Sequence, residues 1–145
     1  MSVYLVSGLF ALGGVALAGL FAEIRAARDG RARQTSELTS LKRQTYSKAI
    51  DQVELVSSKV ARWAGADDKE RAERLRDFWD ELTLAYQIKS QILLTAQTSE
   101  PADTMTTVLG IYRKAVEDDE RKLPKPREQV NEMIRRFRID LGLLP

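Results

Sequence analysis

The chain has 145 residues, 23 basic and 21 acidic side chains, and neither cysteine nor histidine. That length fits one ordinary domain. It carries no disulfide framework, no thiolate nucleophile and no imidazole base or ligand, which excludes Ser-His-Asp, Cys-His and zinc chemistry together. The small net charge of +2 hides an uneven distribution, because residues 1–22 carry no charged side chain and every charge falls in residues 23–145.

Residues Val3 to Ala22 read VYLVSGLFALGGVALAGLFA, with nothing more polar than Ser7 and Tyr4. At ~1.5 Å per residue a helix of this length spans about 30 Å, the thickness of a bilayer's hydrocarbon core. A chain this small can rarely bury such a helix on all sides. A cleavable signal peptide normally has a basic start and a shorter apolar stretch, whereas Met1 and Ser2 supply no basic side chain here. Residues 1–22 are therefore expected to form a single transmembrane helix in the cell membrane. Arg25, Arg28, Arg31 and Arg33 follow it at once, against Glu23 and Asp29. Basic residues close to a span stay on the cytoplasmic side, so the N-terminus should lie outside and the rest inside. These arginines set topology and can also meet anionic lipid headgroups.

Within the span, Ser7, Ala11, Gly14, Ala18 and Ala22 step by three and four and share one helical face. Small side chains let two backbones approach closely, so the stripe is the expected seam of a homo-oligomer.

Residues 23–35 read as a basic juxtamembrane junction, in which Asp29-Gly30 can kink or continue the helix. Residues 36–145 read as a cytoplasmic helical bundle. In 36–64, Leu38, Leu41, Tyr46, Ile50, Val53, Val56, Val60 and Trp63 mark one face, while Lys42 and other charges occupy the rest. Ala64-Gly65-Ala66 stops the helix. Asp67 and Glu70 open the next with an acidic variant of the capping box. Its wide stripe includes Leu75, Phe78, Trp79, Leu82, Ala85, Tyr86, Ile92, Leu93 and Ala96. If Trp79 is core, Trp79→Ala should cost about 3–5 kcal/mol.

Thr98-Ser99-Glu100-Pro101 breaks the pattern, with Pro101 placed for the first turn of a third helix. That helix uses Met105, Val108, Leu109, Tyr112, Ala115 and Val116. After Leu123-Pro124-Lys125-Pro126, a last helix runs to about Leu141, with Val130, Met133, Ile134 and Phe137 facing inward and Gly142 as its cap. No segment alternates as a half-buried strand requires. The expected fold class is all-α: one N-terminal span and an up-down bundle of about four amphipathic helices.

Three stretches, Arg43-Gln44-Thr45-Tyr46, Leu82-Thr83-Leu84-Ala85-Tyr86 and Phe137-Arg138-Ile139-Asp140-Leu141-Gly142, resemble a set of uncharacterised actinobacterial and phage-encoded membrane-anchored helical proteins. The resemblance implies one N-terminal span, an Arg-rich junction and a helical cytoplasmic part, and no assigned activity.

Candidate chemistry is sparse. Glu117-Asp118-Asp119-Glu120 could attract a divalent cation, but it lacks the spacing of a calcium loop and reads as a solvated helix end. Arg135, Arg136 and Arg138 form a basic cluster without the one-sided excess that nucleic acid would need, so no nucleic-acid partner is expected. Adjacent carboxylates such as Asp67-Asp68 point apart on a helix, whereas general acid–base work needs converging groups. Tyr46, Trp63, Trp79 and Tyr86 read as core. No catalytic residue, metal or cofactor is implied. The expected function is a non-enzymatic, membrane-anchored interaction protein that self-associates or docks a protein partner in the cytoplasm. The alternative is an oligomeric pore or membrane-perturbing effector, similar to small effectors of prokaryotic antiviral systems. An uncharged span with one serine would line only a narrow, hydrophobic, gated pore.

Overall fold

The computed structural model describes the backbone of residues 3–145 and the side chains of residues 26–145. It contains α1 (Val3–Ala64), α2 (Arg71–Thr95), α3 (Glu100–Glu117) and α4 (Arg127–Asp140). Among the described residues there is no strand. The chain divides into two units, residues 1–38 and residues 39–145.

In the first unit, α1 runs through Asp29-Gly30 without a break. Nothing lies within 4 Å of where a Gly30 side chain would begin. The side chains of residues 26–38 are all exposed, and Thr35 Oγ1 donates to the Arg31 carbonyl at 2.8 Å. Among the residues whose side chains are described, no helix is long and apolar enough to cross a membrane. The apolar run 3–22 lies outside them.

The second unit is an all-helical bundle whose consecutive helices are antiparallel. Gln52 bonds Glu81 and Lys59 pairs with Asp77, so α1 and α2 run in opposite senses. Arg71 at the start of α2 pairs with Asp119 just beyond the end of α3. Arg136 near the end of α4 pairs with Glu100 at the start of α3. Tyr46, early in the α1 part of this unit, stacks on Phe137, late in α4. The core is built from Val53, Val56, Val60 and Trp63 of α1, Phe78, Leu82 and Ile92 of α2, the whole expected face of α3, and Met133 and Phe137 of α4. Fully burying each such side chain contributes roughly 1.5–3 kcal/mol.

The helix ends follow the sequence closely. Asp67 Oδ1 accepts the backbone N–H groups of Lys69 and Glu70, capping a turn that leads into α2. The Glu70 carboxylate does not reach back to complete a capping box and instead faces Arg74. Pro101 sits buried in the first turn of α3, where its missing N–H costs nothing. At the end of α4, Gly142 has φ +70, its N–H bonds the Ile139 carbonyl, and Leu143 N–H bonds the Arg138 carbonyl. This is the paired-bond helix stop that a left-handed residue permits.

Four expectations about the buried faces need correction. Leu41 and Leu38 are exposed, while Lys42 and Thr45 are buried in their place. The buried line of α1 runs 42, 45, 46, 49, 53, 56, 60 and 63, from whose mean direction Leu41 is rotated by about 85°. Leu38 falls on that line but belongs to the first unit. Leu93 is exposed because its neighbour Ile92 holds the inward position. Trp79 is only half-buried, its place in the centre taken by the fully buried Phe78, against which its ring stands edge-on.

Candidate functional site

The one ionisable pair buried on both sides among the described residues lies between α1 and α4. Lys42 Nζ sits 2.9 Å from Asp140 Oδ2, and the two side chains are 6 % and 5 % exposed. Tyr46 lies one turn beyond Lys42 on α1, so both reach the same partner. Its hydroxyl donates to the same Oδ2 at 2.6 Å. The other carboxylate oxygen accepts the Gln97 backbone N–H at 2.9 Å, which ties in the α2–α3 link. Phe137, three residues before Asp140, stacks on the Tyr46 ring at 4.3 Å and 8°. Thr45 satisfies its own hydroxyl on the Leu41 carbonyl.

The electrostatics follow from this geometry. Burial would raise the Asp140 acid, but the bonds from Tyr46, Lys42 and Gln97 outweigh it and hold the carboxyl below its usual range. Burial and the adjacent Asp140 charge push the Tyr46 phenol far above its ordinary 10.0. Each polar group of the cluster is thus consumed by another, which makes it a clasp among three segments. No described buried side-chain nitrogen or oxygen is left without a partner.

Lys42 falls among the charges off the apolar face that periodicity marks on α1, and Asp140 carries no signal of its own in the sequence. Both lie in or next to stretches that carried the resemblance, since Arg43–Tyr46 and Phe137–Gly142 meet at this clasp.

The clasp fixes which segments share one end of the second unit: the start of its α1 portion, the end of α2, the start of α3 and the end of α4. That end carries Leu41, Leu93, Leu94, Leu143 and Leu144, all exposed, with Leu94 at 86 % and Leu143 at 57 %. Arg43 and Arg138 are exposed at the same end, and neither pairs with a described carboxylate.

Of the expected membrane residues, Ser7, Ala11, Gly14, Ala18, Ala22 and Arg25 lie outside the described side chains. Arg28, Arg31 and Arg33 are exposed on α1. The acidic run 117–120 is exposed at the end of α3, with Glu117 paired to Arg113 and Asp119 to Arg71. The C-terminal arginines are partly neutralised. Glu132 bonds Arg135 and Arg136 at 2.7 Å each, and those bonds pull its carboxyl down to about 2. An open cleft of about 380 Å³ is lined by Tyr112, Pro124, Lys125, Arg127 and Asn131 among others, and none of the clasp residues borders it.

No protein-family model matches the chain, and no curated protein or solved structure is significantly similar to it.

Proposed function

We propose that this chain is a non-enzymatic, single-pass membrane-anchored interaction protein, with its helical bundle on the cytoplasmic side. The observation that carries the reading is the uncharged run Val3–Ala22 followed directly by Arg25, Arg28, Arg31 and Arg33, joined in one chain to a compact helical unit. An apolar run of this length matches the bilayer, and the arginines set its orientation. The interior of the bundle supports a scaffold role, because its converging ionisable groups Lys42, Tyr46 and Asp140 are bound to one another and leave no free acid or base there. Self-association through Ser7, Ala11, Gly14, Ala18 and Ala22 belongs to the same proposal, since small residues are how apolar spans pack without a hydrophobic drive.

Fractionation and a C-terminal reporter test this. The full chain should stay with membranes through carbonate washing, and a reporter fused after Pro145 should be active only inside the cell. Recovery in the soluble fraction would remove the anchor, and a reporter active outside would reverse the topology. Gly14→Leu should reduce cross-linking between copies in mild detergent, whereas Leu9→Ile on the opposite face should leave it unchanged.

A further inference from the structure

We propose that the clasp end of the second unit docks on an anionic lipid surface, with its leucines in the headgroup region and Arg43 and Arg138 on lipid phosphates. This rests on the membrane-anchored reading above. Five of the eight exposed large apolar side chains of this unit gather here: Leu41, Leu93, Leu94, Leu143 and Leu144. The remaining three, Leu55, Leu84 and Leu123, lie away from this end. Isolated exposed leucines need no explanation, but a group at one end that includes a helical residue 86 % exposed marks a contact surface.

The charges interleaved with these leucines favour lipid as the occupant. Arg43 and Arg138 are unpaired and have long stems that can lie along an apolar surface while their guanidinium groups meet phosphate. The acids here are largely occupied, Asp140 by Lys42 and Tyr46 and Glu100 by Arg136. Asp103 is exposed, in the first turn of α3 where the helix dipole already favours an acid.

Chain length adds a second argument. Residues 23–38 separate the apolar run from the second unit, and as 16 residues of the unbroken α1 they rise only about 24 Å. A bundle tethered so close meets the leaflet at high effective concentration, so a small patch suffices where a free protein would need a larger one. A second copy docked end to end offers no complementary charge, because the same two arginines would face each other.

The absence of native cysteine allows clean single-site labelling of the full chain. A nitroxide is placed at Leu94→Cys, at Leu143→Cys and, as a reference at the far end, at Leu123→Cys. The protein is reconstituted in vesicles of phosphatidylcholine with phosphatidylserine, and accessibility to oxygen and to a water-soluble nickel complex is compared. Oxygen should be favoured several-fold more at 94 and 143 than at 123. Arg43→Glu with Arg138→Glu should bring the first two down to the level of the third, as should vesicles of phosphatidylcholine alone. Equal, water-like accessibility at all three sites in protein that co-floats with vesicles would overturn the docking and leave the anchor standing. Shielding of position 94 from both probes, with spin–spin broadening between copies, would overturn it in favour of a protein interface. Protein that fails to co-float would overturn the anchored reading and the docking together.

Discussion

Replacing Asp140 by asparagine leaves the Lys42 ammonium buried opposite a neutral amide. Breaking a buried pair from one side typically costs about 3–5 kcal/mol, a large share of the ~5–15 kcal/mol that holds a domain. Tyr46→Phe should cost less, about 1.5–3 kcal/mol, because it keeps the stack on Phe137 and loses only the bond to a charged acceptor. Denaturant melts of both variants should return that order, and equal losses would show that the Tyr46 hydroxyl bond matters as much to the clasp as the Lys42–Asp140 charge pair. The two titrations have opposite signs. Asp140 is held below its ordinary 3.8, so its contribution is present above that value and is lost as pH falls through the lower folded value. Tyr46 is raised above 10.0, so its contribution is complete below pH 10 and is lost as pH climbs beyond it. Thermal melts across pH should therefore show an acid edge that Asp140→Asn weakens and an alkaline edge that Tyr46→Phe weakens. Sequence periodicity could not reveal this cluster. A lysine among apolar residues reads as solvent-facing, and its partner lies in the last turn of a different helix. Only the one-turn spacing of Lys42 and Tyr46 hinted at a shared target.

At the scale of elements, the helix boundaries were legible because punctuation residues carry their geometry with them. A start and a stop are announced by Pro101 and Gly142, through fixed φ and tolerated positive φ respectively. Gly142→Ala should therefore cost about 1–2 kcal/mol, since a Cβ at φ +70 is strained even with open space around it. A chemical melt showing no loss would mean that the last turn simply frays. The end of α3 was less legible. Asp119 holds the equivalent left-handed position, at φ 55, with Glu120 N–H on the Ala115 carbonyl. An aspartate in an acidic run gives no such signal, so the run reads only as a solvated end. Asp119→Asn tolerates the same backbone and removes the Arg71 pairing. Because the Asp119 side chain is 66 % exposed, the change should stay within about 1 kcal/mol. The α2 stripe misled in a different way. Apolar residues at adjacent positions, Phe78 with Trp79 and Ile92 with Leu93, leave the helix phase ambiguous, and the shared core takes in Phe78 and Ile92. Trp79, half-buried, is thus a weaker core residue than its size implies.

At the scale of the molecule, the all-helical class and the bundle follow from the amphipathic periodicity of four segments with short links. Which segments close the bundle does not, because closure depends on contacts between residues 40 to 100 positions apart, such as Tyr46 with Asp140 and Gln97 with Asp140. Those contacts also set where the second unit can be cut. A fragment of residues 39–145 keeps Lys42, Thr45 and Tyr46 and should fold alone as a helical, cooperatively melting domain. A fragment of residues 47–145 keeps most of the apolar face of α1, including Val53, Val56, Val60 and Trp63, but strands Asp140 without its cation and Phe137 without its ring partner. The predicted loss is at least that of Asp140→Asn, about 3–5 kcal/mol. For a domain of this size each kcal/mol moves the midpoint by about 4–8 °C, so the shorter fragment should melt well over 10 °C lower. Circular dichroism on both fragments decides it. Similar midpoints would show that the apolar face alone closes the bundle, and that the buried pair, whose desolvation opposes its attraction, contributes specificity of register and little net stability.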